Sequence, residues 1–185
     1  MVRFELGDRV AVYLKHFRTI QEIRNIEQKH EVENETQNFY KYMLEKMRKE
    51  CTDEKWKAVS KDKEIGYPKL ILYKEDWCLE ENPFGITFEW NQKTRRPHFY
   101  DNPCYVGIWL PENNENYKKL RDELQKTLAA SLQKRNYEKQ NEWWVYKRIF
   151  KFPKDDLDDI RELENNIISE VNFLKRELSR YEPII

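Results

Sequence analysis

Cys104–Leu120 reads CYVGIWLPENNENYKKL, and its character changes once, at Pro111. The part before the proline is almost continuously apolar, with the aromatic and β-branched content of a buried strand. Pro111 removes a ladder donor and ends that strand. Beyond it, Asn113 or Asn114 offers a helix N-cap. Tyr117, Leu120, Leu124, Leu128 and Leu132 then recur at steps of three and four, the spacing of one helix face.

Working outward toward the N-terminus, Ile86, Phe88 and Trp90 alternate with Thr87 and Glu89, a period-2 strand pattern. Lys69–Trp77 (KLILYKEDW) predicts an earlier strand. Gln92–Asn102, with Arg95, Arg96 and Pro97, reads as the turn between the second strand and Cys104. Three strands with short connections favour an antiparallel meander. Toward the C-terminus, Glu142–Phe152 (EWWVYKRIFKF) predicts a fourth strand, which Pro153 closes. Leu157, Ile160, Leu163, Ile167, Val171, Leu174 and Leu178 then form the most regular helical stripe in the chain. Acids crowd its first turn and Lys175, Arg176 and Arg180 sit near its end, both favourable to the helix dipole.

Gly7 and Gly66 bracket 58 residues without glycine or proline, rich in Glu, Lys, Arg and Gln. Such a stretch favours helix. Asp8 is a candidate cap, and Val10, Leu14, Phe17, Ile20, Ile23 and Ile26 form a first apolar stripe. His30–Gln37 holds only Val32 as an apolar residue, so a bend is expected there, with Thr36 capping a second helix through Phe39, Met43, Leu44 and Met47. One long helix remains the alternative. The fold class read from the chain is therefore α+β: an N-terminal helix or helical hairpin, a mainly antiparallel sheet of about four strands, and a long C-terminal helix. Residues 1–185 are expected to form a single domain, 1–60 its helical part and 66–185 the sheet with two helices.

The chain has 185 residues, with 34 basic and 34 acidic side chains. A fold of this size buries enough surface for one core, and 26 aromatic rings supply its bulk. Zero net charge argues against a generally basic nucleic-acid coat. The balance is a cancellation, because residues 112–150 hold nine basic and six acidic groups and residues 151–185 hold six and nine. No apolar run reaches the length of a membrane span. Arg3, Glu5 and Asp8 break any signal-peptide core. Three dispersed cysteines, Cys51, Cys78 and Cys104, suit a reducing cytoplasm better than a disulfide framework.

Catalytic chemistry has little material. His16, His30 and His98 have no Cys or His within ligand spacing, so no metal and no cofactor is expected. The serines Ser60, Ser131, Ser169 and Ser179 lie outside any nucleophile-elbow context. Cys78 and Cys104 fall in or beside apolar strands, as core fillers do. A Mg²⁺-dependent nuclease needs carboxylates converging from adjacent strands. Glu89 on the second strand is one such acid, but Cys104–Leu110 contributes neither acid nor lysine, and Glu27-Gln28-Lys29 sits in a helical stretch.

The succession KLILYKEDW, FGITFEW, CYVGIWLPENNENYKKL and EWWVYKRIF, within Pro68–Tyr181, resembles the C-terminal region of a PD-(D/E)XK nuclease superfamily group of bacteria and phages. No position matches that group's catalytic motif, so no catalytic residue carries over. The resemblance implies an accessory or recognition module in phage–host conflict, for example an inhibitor or sensor subunit.

Two binding surfaces are legible. Adjacent Trp143 and Trp144 point to opposite faces of a strand, so one ring meets a helix, a partner or solvent. With Leu163, Ile167, Val171 and Leu174 on the terminal helix, they are candidates for a protein interface or self-association as a homo-oligomer. The second is nucleic-acid contact through Arg95, Arg96, Lys118, Lys119, Arg121 and Lys126, since phosphate recognition needs clustered cations. Solvation of an outer helix face by the same cations is the competing reading. A non-enzymatic protein-interaction module is the leading expectation, with a nucleic-acid-binding accessory domain and a divergent nuclease as alternatives.

Overall fold

The computed structural model describes residues 16–28, 31–61, 69–79, 82–90, 103–111, 115–140, 142–151 and 157–181. The expected caps Asp8, Asn113 and Asn114, and the helix-opening Pro153, lie outside them. In chain order the elements are α1 (Phe17–Gln28), α2 (Glu31–Cys51), β1 (Trp56–Lys61), β2 (Lys69–Lys74), β3 (Cys78–Leu79), β4 (Asn82–Pro83), β5 (Gly85–Trp90), β6 (Cys104–Trp109), α3 (Glu115–Gln133), β7 (Glu138–Lys139), β8 (Trp144–Phe150) and α4 (Leu157–Ser179). The architecture is α+β with a long C-terminal helix.

Among the described residues the N-terminal part contains two helices, α1 and α2. The second starts at Glu31, five residues before the expected cap Thr36, which lies inside it. Glu and Gln, frequent in this stretch of the sequence, extend a helix readily. The helix is anchored further along, where Tyr40, Met43, Leu44, Met47 and Cys51 form its buried stripe.

Residues 1–60 are not wholly helical, because β1 begins at Trp56. Asp53 makes the change of direction. Its Oδ1 accepts the backbone N–H groups of Lys55 and Trp56, each at 2.9 Å, an Asx turn just past the helix end. The sheet consequently has six strands rather than about four, in the order β1-β2-β5-β6-β8-β7. The two strands beyond expectation are its edges. Lysine-rich β1 has no continuous apolar run, and β7 is only two residues long. Every pairing is antiparallel, and β2-β5-β6 is the expected meander. A small β3–β4 ribbon interrupts the meander, flanked by Trp77 and Phe84, whose rings stack at 5.2 Å.

Register and alternation divide the sheet into two unlike faces. Leu70, Leu72, Ile86, Phe88, Trp90, Cys104, Val106, Ile108, Tyr146 and Phe150 point to one side and are buried. On that side they meet the buried stripes of α2, α3 and α4 in one core. Each large apolar side chain so buried contributes about 1.5–3 kcal/mol. Tyr40 of α2 packs between two strand rings, stacked on Phe88 at 6.0 Å and edge-on to Trp90 at 6.1 Å.

The β6–β8 pair carries one irregularity. Ile108 pairs with Tyr146 but Trp109 pairs with Trp144, so Val145 is the extra residue of a bulge. Val145 and Tyr146 are both buried as a result.

Candidate interaction surface

The sheet face away from α2, α3 and α4 is built by the alternate residues of the same strands: Val59 and Lys61 of β1, Lys69, Ile71 and Tyr73 of β2, Thr87 and Glu89 of β5, Tyr105, Gly107 and Trp109 of β6, and Trp144, Lys147 and Ile149 of β8. Its central part is buried. Ile71 and Thr87 are fully covered, and Lys69, Glu89 and Trp109 nearly so. Lys69 Nζ lies 3.7 Å from Glu89 Oε2 and 4.4 Å from the centre of the Trp109 ring, which Lys61 Nζ also approaches at 5.3 Å. Cations over an indole face gain from its quadrupole while their stems cover apolar surface.

Toward the β8 side the same face opens to solvent. Tyr105 and Trp144 are half-buried, with ring centres 6.4 Å apart, and Lys147 Nζ sits 5.0 Å from the Tyr105 ring. Trp143 is 45% exposed and Ile149 40%, two of the largest exposed apolar groups among the described residues. The backbone holds this patch firmly. The Trp143 carbonyl accepts the Leu110 N–H at 2.8 Å, and Gly107 faces Lys147 across the ladder.

The tryptophan pair therefore differs from the alternation expected of a regular strand. Neither ring enters the core: Trp143 sits at the entrance of β8, Trp144 lies on the open face, and the bulge gives Val145 and Tyr146 the buried positions. Of the α4 residues considered with them, Leu163, Ile167, Val171 and Leu174 are all buried in the chain's own core. They do not join the tryptophans in one exposed surface.

Of the expected basic surface, the described members do not share one face. Arg95 and Arg96 lie outside the described residues. On α3, Lys118, Lys119 and Lys126 are exposed, whereas Arg121 falls in the buried stripe of Tyr117, Leu124 and Leu128. Lys118 donates to Glu115 at 2.7 Å, and Asp122 follows one turn later, so the outer helix face alternates in sign. Glu89 is covered and ion-paired with Lys69 on the face opposite α2, α3 and α4. Among the described residues no three His, Cys, Asp or Glu side chains gather as a metal site would require, and no helix is long and apolar enough to cross a membrane.

What sequence reading missed is the joint contribution of Tyr105, Lys147 and Ile149. Each falls at an alternate position of β6 or β8, so alternation carried the signal. The β6–β8 register that brings them beside Trp144 is not written in either strand alone. Comparison of the chain with family models, with curated proteins and with solved structures gives no match.

Proposed function

We propose that this chain is a non-enzymatic interaction module that binds a protein, a second copy included, through the open part of the sheet face around Trp143, Trp144, Tyr105 and Ile149. The observation that carries the reading is the exposure of Trp143 and Ile149 beside two half-buried rings on a rigid ladder. Tryptophan and tyrosine are the residues most enriched at the energetic centres of protein interfaces. They offer large contact area at small cost in side-chain entropy, and the ladder fixes their backbone before any partner arrives.

The test uses a Trp143→Ser, Ile149→Ser double variant, whose changes touch only exposed side chains. Light scattering reads self-association, and a pull-down with the intact chain reads capture of another protein. A dimer or captured partner should weaken by tenfold or more in the variant, as loss of one anchor worth about 2 kcal/mol requires. An intact chain that is monomeric and captures nothing, or capture indifferent to the double change, removes the proposal.

A second reading, single-stranded nucleic acid, draws on one specific contact: Lys147 over Tyr105, next to Trp144. Stacked rings with an adjacent cation suit bases and phosphates together. Retention of DNA or RNA at about 50 mM salt, falling steeply as salt rises, would favour this reading over the first.

A further inference from the structure

A recess of about 820 Å³ lies between the turn joining α2 to β1 and the C-terminal half of α4. It is bordered by Lys55 and Glu54 on one side, by Asn172, Arg176, Ser179 and Arg180 on the other, with Asp53, Trp56 and Lys175 between them. On α4 the positions 172, 175, 176 and 179 share one helix face, so an amide, an ammonium, a guanidinium and a hydroxyl are presented together. We infer that this recess binds a phosphate-bearing small molecule of about nucleotide size.

The charges there divide into those already matched and those free to act on a ligand. Asp53 is matched: Oδ2 accepts Lys175 Nζ at 2.8 Å, and Oδ1 accepts two backbone N–H groups. Lys175 is matched as well, donating also to the Cys51 carbonyl at 2.6 Å, and so covering the C-terminal end of α2. Lys55, Arg176 and Arg180 remain, against Glu54. Arg180 is only loosely held by Glu177, at 3.7 Å with its side chain 79% exposed.

Two helix C-termini border the recess, and each carries roughly half a negative charge, which opposes an anion. Their carbonyls are partly covered. Lys175 takes that of Cys51, and the Arg180 and Tyr181 N–H groups take those of Glu177 and Leu178. The surplus of free cations outweighs what remains. A dianion suits it better than a carboxylate, and the planar fork of Arg176 matches phosphate oxygens in pairs. The volume falls in the range of small-ligand sites, about 300–1,000 Å³, and exceeds what a bare anion fills. The recess borders β1, at the sheet edge opposite β7 and β8, so it is separate from the aromatic patch.

Titration calorimetry at constant ionic strength, with inorganic phosphate, ADP and ATP as probes, tests the inference. Variants Arg176→Gln and Ser179→Ala alter exposed residues, and Lys119→Gln on the exposed side of α3 controls for general loss of charge. Saturable binding of ADP or ATP, weakened at least about tenfold by R176Q and under about twofold by K119Q, is the expected result. Competition by inorganic phosphate identifies the phosphate group as the recognised unit, while nucleotide binding without it adds recognition of the nucleoside. No saturable response to any probe up to about 5 mM overturns the inference, as does binding that R176Q leaves intact or K119Q weakens equally.

Discussion

Arg148 of β8 donates to Oε1 of Glu170 in α4 at 2.7 Å, and Arg135, from the turn after α3, donates to the same oxygen at the same distance. Tyr137 completes the carboxylate by donating to Oε2 at 3.1 Å. Glu170 is 5% exposed, yet it lies on the most regular apolar helix of the chain, so these partners support its burial. One carboxylate thus ties α4 to β8 and to the segment leading into β7. Burial, reinforced by the Glu170 charge, pushes the Tyr137 hydroxyl well above its ordinary range.

Glu170→Ala is expected to destabilise the fold by about 3 kcal/mol, near the low end for breaking a buried ion pair. The low end applies because the Arg135 and Arg148 side chains are 40% and 30% exposed and regain water when the carboxylate is gone. Arg135→Ala should cost about 1 kcal/mol, since Arg148 still satisfies Glu170. Urea midpoints at unchanged slope measure both. A loss under about 1 kcal/mol for Glu170→Ala would show that the network contributes little.

Asp53 predicts the acid limb of the stability curve. The Lys175 ammonium, together with the Lys55 and Trp56 backbone N–H groups that donate to Asp53, holds the Asp53 carboxyl below the usual Asp value. A depressed folded value means the unfolded state binds the proton first, so stability rises with pH through this region. The contribution is full above about pH 4, the unfolded value, and is lost as pH falls through the lower folded value. Unfolding free energy measured from acid to neutral pH should therefore fall less steeply at low pH in Asp53→Asn than in the parent. Superimposable slopes would contradict the pairing.

Cys51 and Cys104 are both fully buried. Burial raises the Cys51 thiol to about 11 and the Cys104 thiol further. Since the thiolate is the reactive form, neither should react with a thiol reagent at pH 8 in the folded protein, and both should react in urea. A Cys78→Ser background isolates them. The sign is opposite to that of Asp53: these groups ionise first in the unfolded chain, so stability declines as pH rises above about 8.5. Rapid labelling of Cys51 under native conditions would overturn its placement.

Gly107 is required by close approach of backbone rather than by turn geometry. A Cβ there would collide with the Tyr146 carbonyl and lie 2.8 Å from Lys147 Cα. Backbone cannot rotate aside as a side chain can, so Gly107→Ala must separate β6 from β8. A loss of about 2–4 kcal/mol is expected in chemical denaturation, with the aromatic patch disturbed as well. A near-neutral Gly107→Ala would show that the ladder has room to spare.

Most of the fold was legible in the local pattern. The apolar run of Cys104–Leu110, the alternation of Ile86, Phe88 and Trp90, and the stripe from Leu157 to Leu178 each require one kind of element, because burying those side chains permits one periodicity. β1 was hidden: in WKAVSK the lysines mask an alternation that Trp56, Ala58 and Ser60 express only once β2 lies beside them. The aromatic patch was half legible. Trp143 and Trp144 advertise an interface by adjacency, while Tyr105, Lys147 and Ile149 join them only through the β6–β8 register.

The sequence by itself determined the four central strands, the helices that follow them and their apolar faces, since propensity, periodicity and proline placement act over a few neighbouring residues. Tertiary structure alone decided that both rings of the Trp143–Trp144 pair stay out of the core, that Arg121 and Glu170 are buried, and that Asp53 meets Lys175 from 122 residues away. Those outcomes depend on the free energy of desolvation and pairing between distant segments, which no local window of the chain contains.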